Sequence, residues 1–182
     1  MERLSSRDRF GSGVIACPGN NDILKPVGVW DFLAVDKNGD PIWFERFQNL
    51  VTNAGKNALL DTMFNAASQV TWYMGLVSGG STPSYAAGDT MSSHAGWTEV
   101  YSEYSQSNRP TWDPAAAASQ QLSNSTPIDF SITATVTVAG GFIVSNNTKN
   151  GTTGTLFSVG SFSANRSLSN GDTLKVTYTL GF

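Results

Sequence analysis

Two stretches of this chain alternate apolar and polar residues, and that period of two constrains the fold more than any other feature. Ile128, Phe130, Ile132, Ala134, Val136 and Val138 have polar residues between them. Leu174, Val176, Tyr178, Leu180 and Phe182 repeat the pattern. Successive side chains of a strand point to opposite faces, so each stretch reads as a strand with one face buried and one wet. Such a strand needs a second layer over its apolar face.

The rest of the chain supplies that layer. VGVWDFLAVD and PIWFERFQNLV flank the turn KNGD, and Asn38-Gly39 between two apolar runs signals a hairpin, because both residues accept a positive φ. A calcium loop is the other reading of Asp36–Asp40, but its glycine is misplaced and its twelfth position is Phe47 rather than Glu. Val70–Val77 and Trp97–Tyr104 read as strands, and Leu156–Val159 as another. Gly140-Gly141 reads as a turn from which Phe142–Val144 returns, and Asn170-Gly-Asp as a further turn. Residues 109–122, with Pro110 and Pro114, read as a loop crossing the domain. One helix is expected from Thr52, with Thr52 or Asn53 able to cap it. Leu59, Leu60, Met63 and Phe64 then form an apolar patch that a sheet should cover. Gly55 weakens this helix and points to close backbone packing.

Strands separated by turns about every ten residues favour two packed sheets over a βαβ fold. The expected architecture is mainly β: an antiparallel β-sandwich, Ig-like or jelly-roll-like, over residues 27–182, with one short α-helix. Residues 1–26 are polar and rich in Gly and Pro. They read as an extended N-terminal arm that orders against a partner.

Composition narrows the function. Charged residues are 14% of the 182, against about 25% in an average soluble protein, and Ser, Thr, Asn and Gly take their place. The net charge of −3 gives nothing to draw nucleic acid. Arg3, Arg7 and Arg9 are the one basic cluster, suited either to a partner's acidic groove or to a solvated terminus. Cys17 and His94 are the single cysteine and the single histidine, so neither an internal disulfide nor a Cys/His zinc site can form, and no cofactor is expected. No stretch approaches the ~20 apolar residues of a membrane span. The N-terminus lacks an apolar secretory core, so synthesis and retention in the cytosol are expected and the Asn-x-Ser/Thr matches count as chance.

Catalysis would have to centre on His94, with Ser92, Ser93, Asp89 and Glu99 near it in sequence. The chain has no Gly-x-Ser-x-Gly elbow, P-loop, dinucleotide fingerprint or His-Glu-x-x-His. Asp89 and His94 have plainer uses. Asp89 can cap a helical turn, His94 can bond to a free carbonyl at its end, and Trp97 can anchor the next strand in the core. Of the five tryptophans, Trp112 between two prolines is the best candidate for an exposed platform facing a partner or a glycan.

FQNLVTNAGKNALLDTMF, TWYMGLVSGG, YAAGDTMSSHAGWTEV, RPTW, GGFIVSNNTKNGTTGTLFSVGSF and GDTLKVTYTL together resemble a family of small structural (virion) proteins of tailed bacteriophages. The resemblance covers roughly residues 27–182, and Asp89, His94 and Trp97 fall in its most specific segment. It implies a non-enzymatic building block made in the host bacterial cytoplasm and carried in the virion. Its partners would be copies of itself and other virion proteins of the tail, portal-adaptor or capsid. A fibre–tail adaptor or fibre component, assembling as a homo-oligomer, is the first expectation. A capsid decoration protein is the alternative, and a host-glycan-binding module the alternative from another class.

Overall fold

Strand pairing begins where the apolar residues begin. In the computed structural model, which describes residues 25–182, the elements in chain order are β1 (Val27–Val35), β2 (Pro41–Gln48), β3 (Leu50–Val51), α1 (Asn53–Phe64), β4 (Trp72–Ser78), β5 (Glu99–Val100), β6 (Thr111–Trp112), β7 (Gln121–Ser123), β8 (Ile128–Ser131), β9 (Val136–Val144), β10 (Leu156–Leu168) and β11 (Thr173–Gly181). They form two antiparallel sheets, a β-sandwich with one helix. The first sheet runs β2-β1-β11-β7, with β8 also on β11. The second runs β3-β10-β9-β4-β5, with β6 also on β4. The arm expected at 1–26 falls almost wholly outside the described residues.

The first sheet follows the sequence pattern. Trp30, Phe32 and Ala34 of β1 and Leu174, Val176 and Tyr178 of β11 point inward and are fully buried. The hairpin between β1 and β2 closes as expected. Gly39 takes φ +91°, and the Asp36 carboxylate accepts from the amides of Asn38 and Asp40 at 2.8 and 2.9 Å. These bonds, that from Asp40 foremost, hold the Asp36 carboxyl below its ordinary range.

The second sheet is apolar on both faces, which is why its strands do not alternate. Met74, Leu76, Ile143 and Phe157 face the first sheet. Val77, Ala139, Phe142, Val144, Leu156 and Val159 face the other way, into a second core.

Three expectations are corrected here. The stretch 128–138 is not one strand: it leaves the first sheet after Ser131 and enters the second at Val136. The change of sheet is fixed by a bridge between Ile132 and Tyr104, distant in sequence. Gly140-Gly141 is not a turn but lies inside β9. Val77 faces Gly140 while Ser78 faces Val138, so Ala139 is the extra residue of a β-bulge. A Cβ on Gly140 would stand 2.0 Å from the Gly160 carbonyl, and one on Gly141 2.9 Å from Phe32. The glycines therefore provide room rather than reversal. The expected strand over 97–104 shrinks to β5, with Tyr104 paired only through its isolated bridge to Ile132.

Helix α1 is capped by Thr52, the first of the two candidate caps. Thr52 accepts from the Gly55 amide at 3.0 Å. A Cβ on Gly55 would meet the Phe157 carbonyl at 2.3 Å, so the first turn rests directly on β10. The apolar patch departs from expectation: Leu59 packs on the core, but Leu60, Met63 and Phe64 are exposed.

Candidate functional site

Sequence reasoning pointed to the stretch around His94, and the fold gives that stretch a definite task. After β4 the chain forms no further strand until β5. The intervening segment folds across the outer face of the second sheet and lays Met91 and Trp97 on Val77 and Phe142. The Trp97 and Phe142 rings lie 5.1 Å apart. A sheet apolar on both faces needs such a cover, because water would otherwise meet those side chains.

Asp89, His94 and Trp97 hold the cover together. One carboxylate oxygen of Asp89 accepts from the Ala86 amide at 3.1 Å and from the Trp97 indole N–H at 3.3 Å. It therefore ties the start of the segment to its end. The His94 ring stacks on Trp97 with centroids 4.0 Å apart, and its Nδ1 lies 3.1 Å from the Trp97 carbonyl. The expected helical turn is replaced by tight turns, one closed by paired amides of Thr90 and Ser93. Ser92 lies 3.2 Å from the Thr90 hydroxyl. Asp89 accepts from an indole and His94 Nδ1 faces a backbone carbonyl, so Asp89 does not orient His94 as the acid of a Ser–His–Asp relay would.

Next to this cover lies a constellation that sequence reasoning missed. Arg109 is buried, and its Nε and Nη2 donate to the two oxygens of Glu99 at 2.8 and 2.7 Å. Its Nη1 reaches the Asn146 carbonyl at 2.9 Å, and its guanidinium sits 5.2 Å from the Phe142 ring centre. Glu99 also accepts from the Asn150 amide at 2.7 Å. A second cation works on the same loop: Lys149 donates to the carbonyls of Tyr104 and Gln106 at 3.1 and 2.6 Å, and lies 3.7 Å from the Tyr104 ring centre. Desolvation pulls the Lys149 ammonium below its ordinary pKa. Burial, and then the Glu99 charge, push the Tyr104 hydroxyl up. The forked pairing satisfies charges that would be costly to bury singly. Its effect is to pin the loop between β9 and β10 to β5. No local sequence signal reveals it, because Glu99 and Arg109 form no motif and meet only through the fold.

Trp112 is corrected from platform to core. It is 6% exposed, pairs opposite Trp72 in the second sheet, and its indole N–H donates to the Tyr178 carbonyl at 3.2 Å. Pairing with β4 turns inward a side chain that its flanking prolines suggested was free. Trp30 and Trp97 are buried as well. Arg3, Arg7 and Arg9 lie outside the described residues. Among the described residues, no group of three or more His, Cys, Asp or Glu is placed to hold a metal ion, and no helix is long and apolar enough to cross a membrane.

No protein-family model matches the chain, and no curated protein shows significant similarity to it.

The exposed apolar side chains are the remaining feature. Among the described residues two groups stand out: Leu60, Met63 and Phe64 on α1 near Phe182, and Ile42 and Phe44 on the outer face of β2. Residues of this kind left in patches on a folded surface mark contact sites.

Proposed function

We propose that this protein is a non-enzymatic structural subunit of a tailed-bacteriophage particle, placed in the tail or head–tail region as a fibre–tail adaptor or fibre component. The observation that carries the reading is the uncovered apolar surface on β2. A free-standing subunit would bury Ile42, which is 47% exposed, and Phe44, which is 56% exposed. A subunit covered by neighbours has no need to. The resemblance of its segments to phage structural proteins names the kind of assembly. The residues that first suggested chemistry support the same reading, since Asp89, His94 and Trp97 are engaged in holding a cover over a sheet.

Two measurements test it. Light scattering on the purified protein should give a closed homo-oligomer at micromolar concentration. Cryo-EM of intact particles should place the subunit at the tail or at the vertex that carries it. Density over the whole icosahedral lattice would instead assign a capsid decoration protein. A monomer absent from purified particles would defeat both. Burial of Trp112 takes the best candidate platform from the reading as a glycan-binding module.

A further inference from the structure

Leu60, Met63 and Phe64 form one side of an apolar groove of about 690 Å³. Leu59, Leu122 and Leu180 continue its lining, and among the described residues only Lys56, Gln120 and Gln121 contribute polar side chains. With so few polar groups, the groove selects an apolar occupant. Pro26 also lines it. Val27, the next residue, is fixed opposite Gly181 at the end of β11. The described chain therefore enters the sandwich at the groove.

We propose that the groove seats Ile23 and Leu24 of the same chain. This pair is the apolar step directly before Lys25 and Pro26, and it follows the polar run Asn20-Asn21-Asp22. An extended chain advances about 3.3–3.6 Å per residue, which puts Leu24 and Ile23 within about 7–11 Å of Pro26. The lining residues of α1 run from Lys56 to Phe64, eight steps or about 12 Å along the axis. Length and chemistry match. A second copy fits less well: a stable interface needs about 20–30 residues a side, and twelve residues line this groove. A tethered pair also meets the groove at a high effective concentration without ordering another molecule. The seat fixes the base of the arm on its own subunit and leaves Arg3, Arg7 and Arg9 for a neighbour. The inference goes beyond the assembly role and holds whether or not the protein belongs to a phage particle.

The test uses the full chain with Cys17→Ser, Leu24→Cys and Met63→Cys, oxidised with copper–phenanthroline. A disulfide needs Cα atoms about 4.4–6.8 Å apart. The expected product is an intrachain cross-link, seen as a faster band on a non-reducing gel. The control pair Leu24→Cys with Asn38→Cys, at the far end of β1, should form about tenfold less of it, since the short tether favours the groove. An interchain dimer band would overturn the proposal in favour of a second copy. Equal yields from the two pairs, or none from either, would overturn it outright. A second readout is the fluorescence of the apolar dye ANS with the full-length Ile23→Asp/Leu24→Asp variant. Vacating the groove should raise dye fluorescence several-fold with an unchanged circular dichroism spectrum, and equal fluorescence from the wild type would also sink the idea.

Discussion

Replacing Arg109 by methionine would leave the Glu99 carboxylate buried without its counter-ion. In the native fold the two side chains are 0% and 4% exposed and joined by a forked pair of bonds. Removing one partner of such a pair costs about 3–5 kcal/mol, because the stranded charge cannot recover its water. Domains unfold with only about 5–15 kcal/mol in all. At about 2–4 °C per kcal/mol for a chain of this length, Tm should fall by about 6–20 °C. Glu99→Met should cost a similar amount by stranding Arg109, so independent effects would sum to about 6–10 kcal/mol. The double variant removes both charges. It leaves the carbonyls of Asn146 and Gly151 and the amide of Asn150 without their partners, but these residues are partly exposed and open to water. At about 1 kcal/mol each, the double should lose about 3 kcal/mol, close to either single. Urea and thermal unfolding of the four proteins, followed by circular dichroism, provide the assay. Additive losses in the double variant would refute the reasoning.

Three other perturbations test separate parts of the fold. Gly55→Ala, which would stabilise an isolated helix by up to about 1 kcal/mol, should instead destabilise by about 1–3 kcal/mol because its Cβ meets the Phe157 carbonyl; a raised urea midpoint would disprove the contact. Burial pushes the Tyr178 hydroxyl from 10.0 up to about 12, although Ser158 and Asn49 donate to it and pull it back. The unfolded chain ionises first, so this contribution is intact below pH 10 and is lost as pH rises towards 12; Tyr178→Phe should flatten a loss of about 3 kcal/mol over that range, and an unchanged alkaline slope would contradict it. His94→Ala removes the stack and the bond to the Trp97 carbonyl and should cost about 1–3 kcal/mol, read as faster hydrogen exchange confined to residues 79–98; unaltered exchange there would show that His94 does not hold the cover.

What could be read from the sequence was whatever local chemistry decides. The β1–β2 hairpin, the alternation of β11 and the Thr52 cap each depend on neighbours in the chain, and each is found where expected. Elsewhere the deciding partner is remote. Thr133 and Thr135 continue the alternation past the point where the chain changes sheets, because the bridge from Ile132 to Tyr104 carries no local mark. Two adjacent glycines ordinarily signal a turn, but here the ring of Phe32 and the backbone of β10 require them inside a strand. Trp112 between prolines looked exposed until β4 paired with it. The segment around His94 was recognisable as distinctive, but its task was not. That task exists only because the second sheet is apolar on both faces, which the unbroken run through β9 hinted at and glycine disguised.

The pairing of Val27 with Gly181 gives the molecule a direction. The first residue of β1 and the last of β11 share one rim, together with the exposed side of α1, while the Asn38-Gly39 turn lies about 30 Å away, nine strand residues along β1. Anything entering through Pro26 or joined after Phe182 must cross that rim. A label placed there would compete with whatever docks, whereas a Cβ built on Gly39 meets nothing within 4 Å. The hairpin tip is therefore the position for an epitope or a fluorophore when the assembled state is to be watched undisturbed.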